Sequence, residues 1–389
     1  MGALREQVAK TLRSLRWLPA YGWQRLMRHP PHTVPVHLMI AVANHFEPEV
    51  AVRAPGVYAD CDERERRVEA WCREYPRMAD AWRDADGRPL RHTYFYPAEN
   101  YDKNVIHRLT MHCKAGWGEI EIQLHHGVES PDRPESTRQI LLQFRDALAE
   151  HGCLSRLGGQ GAPHYAFVHG NWALANSARG RFCGVDEEMQ ILAETGCYAD
   201  LTLPSAPDAA QVAKINALYE CALPLDQRAP HRRGRDLRCG RPPKTFPLII
   251  QGPLGLDFAR RIKGWPVPCV ENGALTALNP PTMHRLRMWC KAAIMVKGRP
   301  DWRFIKLHCH GMDPRDTMAL LGDSMRLFLR ELKESGRVSG KYKVHFVTAR
   351  EMVNIILAAC DGRDGDPGLY RDYRLWTDLS SYTPHTETL

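Results

Sequence analysis

Eight short β-type runs punctuate this 389-residue chain, and amphipathic helix-type stretches separate most of them. The runs are VHLMIAVANH (36–45), HTYFYP (92–97), GEIEIQLHH (118–126), YAFVHG (165–170), CYADLTL (197–203), PLIIQG (247–252), FIKLHCHG (304–311) and KVHFVTA (343–349). Helical periodicity falls at 60–85, 102–115, 135–151, 186–196, 315–334 and 349–360. A strand that alternates with a helix must return parallel to its neighbour, so the pattern predicts an α/β fold with a parallel sheet or barrel. The length would hold two average domains, but barrel-type folds use as many residues for one domain with decorations. The expected organisation is a basic arm over 1–35, a main domain over 36–360 and a C-terminal tail over 361–389. There is no internal repeat.

Polar residues gather where these strands stop: Asn44, His45 and Glu47; His125, His126 and Glu129; His169 and Asn171; Asp200 and Thr202; His308 and His310. In barrels and open α/β sheets, chemistry collects at the C-terminal ends of strands. Taken singly, each tip has a structural reading. A strand-end histidine is commonly a hydrogen-bonded framework residue, Trp172 and Trp302 divide evenly between core and groove, and HFEP reads as a turn ended by Pro48. Five tips of this composition on one face point instead to a site. Imidazole with carboxylate suits zinc, cobalt, nickel, iron or manganese, with zinc first among them. Three protein ligands leave positions open for water and substrate.

The order of these motifs resembles the polysaccharide deacetylases of the NodB-homology, or carbohydrate esterase family 4, superfamily, over residues 36 to 358. The resemblance implies a distorted (β/α) barrel, removal of acetyl groups from sugars, and a metal held by one aspartate and two histidines. In the family an aspartate pair follows the first strand, base then ligand; AVANHFEP puts Asn44 at the base position and His45 at the ligand position. An amide cannot take a proton at neutral pH, so the base role passes to Glu47. The family's His-x-x-x-His falls on EIQLHHGVE, making His125 and Glu129 ligands and leaving His126 to face substrate. FVHGNW supplies His169, Asn171 and Trp172 to the groove wall, and CYADLTLPSAP supplies Asp200. IKLHCHG supplies His308 as proton donor, with His310 beside it on the substrate side. The expected function is metal-dependent deacetylation of an acetylated amino-sugar in polysaccharide or glycolipid biosynthesis. The alternative is an inactive deacetylase-like protein that binds carbohydrate or assists its assembly.

Charge narrows the partners. Residues 1–30 carry six Arg or Lys against Glu6, and RAPHRRGRDLRCGRPPK (228–244) carries seven against Asp236, so with a formal charge of +8 the rest of the chain is net negative. A basic arm and a basic loop, without a basic face interleaved with aromatics, speak against nucleic acid. In the arm, Leu4, Val8, Leu12 and Leu15 share one helical stripe. That helix either packs on the domain or lies on anionic lipid with Trp17 and Trp23 at the interface. Pro30, Pro31 and Pro35 mark a break before the domain. The loop reads as a mobile surface excursion that attracts anions. The N-terminus has no uninterrupted apolar run, and the twelve cysteines show no CxxC pair. The expected setting is therefore the cytoplasm with reduced thiols, peripheral to the inner face of the membrane through the arm.

Overall fold

The computed structural model describes residues 15–28, 35–50, 58–80, 82–259, 261–262 and 264–377, without the side chains of 337–339. The stripe Leu4, Val8 and Leu12, together with Pro30 and Pro31, lies outside them. In chain order the elements are α1 (Leu18–Met27), β1 (Val36–His45), α2 (Cys61–Ala79), β2 (His92–Pro97), α3 (Lys103–His112), β3 (Gly118–Leu124), α4 (Pro134–Glu150), β4 (Ser155–Leu157), β5 (Gln160–His169) and α5 (Glu188–Glu194). There follow β6 (Cys197–Asp200), β7 (Leu218–Cys221), β8 (Gly234–Asp236), β9 (Leu248–Ile250), β10 (Gly255–Asp257), β11 (Arg261–Ile262), β12 (Trp265–Pro266), β13 (Cys269–Glu271) and α6 (Met283–Ala292). The chain continues through β14 (Trp302–Cys309), α7 (Thr317–Leu321), α8 (Asp323–Ser339), β15 (Tyr342–Phe346), α9 (Ala349–Cys360) and β16 (Leu375–Trp376).

β1 is buried along its whole length, as its near-continuous apolar run requires of a strand covered on both faces. It stands within a mixed sheet of order β14-β1-β2-β3-β5-β6-β9-β7-β8, parallel from β14 to β9, with β7 antiparallel to both β9 and β8. β15 pairs with the first half of β1 and β2 with its second half. The fold is thus α/β with a mostly parallel central sheet. The ends of the path approach each other through irregular backbone. Lys297 exchanges hydrogen bonds with Leu237 and Cys239 beyond β8, while Phe304 of β14 donates to Ile294.

Side chains of a strand alternate between faces, and the two faces of this sheet carry different layers. Leu38, Ile40 and Val42 pack outward with Ile120, Ile122, Leu124 and Phe167 under α2, α3, α4 and α5, through Trp71, Tyr75, Leu109, Leu141 and Met189. Met39, Ala41 and Ala43 face inward with Phe95, Val168 and Phe304, against Met352, Val353 and Ile356 of α9. All twelve residues of α9 are buried. Its start is fixed by a capping box between Thr348 and Glu351.

Two peripheral expectations change, and over its described residues the arm takes the packed one of its two readings. The 228–244 stretch is no free excursion: it supplies β8, where Arg235 pairs with Glu220 and Asp236 with Lys214 and Lys297. Glu220 of β7 neutralises one of its arginines, and its own Asp236 is held by lysines of neighbouring segments. Residues 361–377 are no separate tail either. Arg371 is buried and bonds Asp84, Asp86 and Glu351, and β16 pairs with β4. Finally, the described part of the arm docks on the body through fully buried Trp17, which packs with Ala206, Ile215 and Leu254. Trp23, Leu26 and Met27 remain exposed. Among the described residues no helix is long and apolar enough to cross a membrane.

Candidate functional site

His45 ends β1 on the inward face, and Lys306, His308 and His310 occupy alternate positions along and just beyond β14 beside it. The His45 ring lies 4.8 Å from that of His310 and 6.5 Å from that of His308, centre to centre. Its Nδ1 is 4.0 Å from Glu47 Oε1. Donor atoms of His45, Glu47 and His310 lie within 4.8 Å of one another. Nδ1 of His45 and Nδ1 of His308 are both buried without a hydrogen-bond partner. A buried nitrogen normally finds one. Burial, then the proximity of His310 and His308, holds the His45 pKa well below its ordinary value, so its ring is neutral and offers a lone pair. These residues fit a divalent metal: two imidazoles and a carboxylate are the protein share of many open catalytic zinc sites.

His125 stands next to this group. Its Nε2 is 3.5 Å from Glu47 Oε1, and its Nδ1 is 2.6 Å from Glu99 Oε1. Gln123 donates to Glu47 from the same strand. Burial works against protonation of His125, but the hydrogen bond and charge of Glu99 outweigh it and raise the pKa. The ring fits only because residue 170 is glycine: a Cβ there would lie 2.2 Å from His125 atoms. Glu49, buried beside Asn100, is pushed up to about 7 by burial. Replacing Glu99 by glutamine is expected to lower the His125 pKa, since the charge that raises it is gone. An imidazole titration by NMR that shows no fall would separate the two residues.

Glu47, His125 and His310 open into a pocket of about 1130 Å³, whose other lining residues include Asn171, Trp172, Arg16, Arg179, Arg181 and Arg232. Among the described residues no carboxylate pairs with Arg179, Arg181 or Arg232. The segment that supplies the pocket wall is conformationally costly: Trp172, Ala175, Asn176, Arg179 and Phe182 all have positive φ without being glycine. Such residues persist where the surroundings impose them, and they concentrate at ligand sites. Here Asn176 binds Asp186, Arg232 donates to the Ser177 carbonyl, and Phe182 donates to that of Gly127.

Several expected site residues stand elsewhere. Asn44, one position before His45, points to the outward face. There its Oδ1 accepts from Gly311 N at 2.8 Å and its Nδ2 meets His92, so it does not face the His45 group. Glu129 is exposed in the bend after β3 and is not among the grouped donors. His126 and His169 do not face the pocket. Both are buried on the outward side, against Glu188. Asp200 is buried, takes two hydrogen bonds from Thr202, and is raised to about 7 by burial. His308 does lie beside His45, buried, with its pKa held well down first by burial and then by Lys306. Asn171, Trp172 and His310 do line the pocket.

Glu49, Glu99, Gly170, Arg179 and Arg181 were not singled out from the sequence. Glu99 follows β2 as His125 follows β3, which is the one signal that pointed to it. The chain matches no protein-family model and no curated protein.

Proposed function

We propose that this protein is a metal-dependent deacetylase acting on an N-acetylated amino-sugar that carries negative charge, such as a phosphate-linked or acidic saccharide. The observation that carries the reading is the convergence of His45, Glu47 and His310 beside the His125–Glu99 pair, at the C-terminal ends of parallel strands and at the wall of a roomy pocket. A distorted barrel of the deacetylase type is the closed form of the observed strand order. Lys306 Nζ reaching across to the Leu201 carbonyl at 2.7 Å supports it.

His45, Glu47 and His310 would hold the metal, zinc first. When bound, such a metal supplies a Lewis acid that polarises an amide carbonyl and makes water a nucleophile near neutral pH. His125, oriented by Glu99, takes the proton from the attacking water and returns it to the departing amine, as a carboxylate-backed imidazole does in other hydrolases. Trp172 offers an aromatic face to a sugar ring, and Arg179, Arg181 and Arg232 bind the anionic group. Exposed Trp23, Leu26 and Met27 on α1 give the arm an apolar edge suited to the inner membrane surface, where a lipid-linked sugar would be met.

The test is acetate release from N-acetylated sugars with and without a phosphate or carboxylate group, alongside metal analysis. Release is expected to need the metal, to favour the charged sugars, and to disappear with the metal in His45→Ala. Release that survives chelation, or full metal occupancy in His45→Ala, overturns the assignment. Bound metal and bound sugar without release makes the pocket a carbohydrate-binding module.

A further inference from the structure

A second set of donors lies on the opposite face of the sheet. Residues that follow one another along an extended chain point to opposite sides, so while His125 turns toward Glu47, His126 turns outward. There it meets His169 at the end of β5, Cys183 in the following loop, and Glu188 in the first turn of α5. All four are buried, and one donor atom from each lies within 4.8 Å of every other. His126 Nε2 is 3.0 Å from Glu188 Oε1, Cys183 Sγ is 3.5 Å from Glu188 Oε2, and His169 Nε2 is 3.9 Å from Glu188 Oε1. Zinc bonds of about 2.0–2.3 Å in a tetrahedron separate neighbouring ligand atoms by about 3.3–3.8 Å. The observed spacings bracket that range.

A hydrogen-bonded cluster alone leaves one atom unexplained. His169 Nε2 is wholly buried and has no hydrogen-bond partner, although it is aimed at the other three side chains. The surroundings match what ligands of a closed site need. Asp132 Oδ2 lies 2.9 Å from His126 Nδ1, Asn171 N donates to His169 Nδ1, Asn176 N donates to Cys183 Sγ, and Ala175 N donates to Glu188 Oε2. The contacts of His126, Cys183 and Glu188 orient those donors, whereas the 3.3 Å contact from Asn171 N puts the His169 ring proton on Nε2.

The geometry points to a structural divalent-metal site, zinc-type, formed by His126, His169, Cys183 and Glu188. Binding releases the Cys183 proton and leaves His126 Nε2 unprotonated, and the His169 ring proton moves from Nε2 to Nδ1, which gives up its contact with Asn171 N. One thiolate and one carboxylate then balance the charge of the ion, so the buried site is neutral. Two of the ligands, His169 and Cys183, bound the segment that supplies the pocket wall and contains its positive-φ residues. Its packing is already close: a Cβ on Gly127 would lie 2.0 Å from the Cys183 carbonyl oxygen. An ion here offsets the conformational cost of that wall and fixes it against the sheet. This site does not depend on the activity proposed above, because the pocket-side group contains no sulfur.

Loading the metal-free full chain with cobalt(II) tests it. The expected result is a sulfur-to-cobalt charge-transfer band in the near ultraviolet and two metal equivalents per chain. Cys183→Ser should remove the band and one equivalent, and His45→Ala should keep the band while losing the other. Cobalt-loaded wild-type protein with no sulfur band overturns the site without any variant having to fold. Unchanged metal content in a folded Cys183→Ser protein does so as well. Loss of the band in His45→Ala would mean one shared site and also counts against the proposal.

Discussion

Replacing His125 by alanine is expected to leave the pocket-side metal in place and to lower turnover by about 10²–10⁴-fold, the usual worth of a positioned acid or base. The motif order made His125 a ligand, and a ligand's loss empties the site. The proposed mechanism gives it a different task, the grouped donors being His45, Glu47 and His310. A base that takes a proton from water works in its neutral form, so activity should rise as pH rises through the His125 pKa. Glu99 raises that pKa; the acid limb should therefore move to lower pH in Glu99→Gln and vanish in His125→Ala. Metal analysis beside the pH profile decides. An emptied pocket-side site in His125→Ala returns the residue to the ligand set.

Arg371→Met is expected to destabilise the fold by about 3–5 kcal/mol, the typical cost of removing one partner from a buried ionic network. Its guanidinium lies 2.9 Å from Asp84, 2.6 Å from Asp86 and 3.1 Å from Glu351, with Arg91 on the far side of Glu351. Methionine preserves the stem and strands the carboxylates. Burial opposes ionisation of Glu351, but Arg91 and Arg371 prevail and lower its pKa from 4.5 to about 2. A depressed carboxylate pKa contributes stability above the unfolded value, and that contribution is lost as pH falls toward the folded one. The wild-type advantage should therefore be full at neutral pH and shrink between about pH 4.5 and 2. Denaturant unfolding at several pH values measures it, and a difference that is constant with pH would exclude the ionic origin.

Long elements were legible because their apolar periods are strong. β1 and α9 fall at 36–45 and 349–360, where the pattern placed them. The pattern also showed one stretch over 315–334 where the structure breaks into α7 and α8 at Gly322, whose backbone is extended. Three-residue strands such as β8 escaped because they are defined by their partners: Arg235 and Asp236 look like loop residues until Glu220 and Lys297 are opposite them. The same limit governed the site. The family register carried His45 but also Asn44 and Glu129, and the two-residue period could have separated Asn44 from His45, and His125 from His126. Glu99 and Gly170 gain meaning only from His125, which approaches both across strand boundaries.

β1 has consequences for how the polypeptide is made. Its neighbours β14 and β15 are translated long after it. Until they leave the ribosome, one entire edge of a ten-residue apolar strand lacks its pairing partner, and the inner surface of the sheet lacks α9. Unpaired apolar edges of nascent chains are natural clients of holding chaperones. Synthesis of this protein therefore passes through a stage with that edge open, which the finished molecule, with β1 buried from end to end, no longer shows.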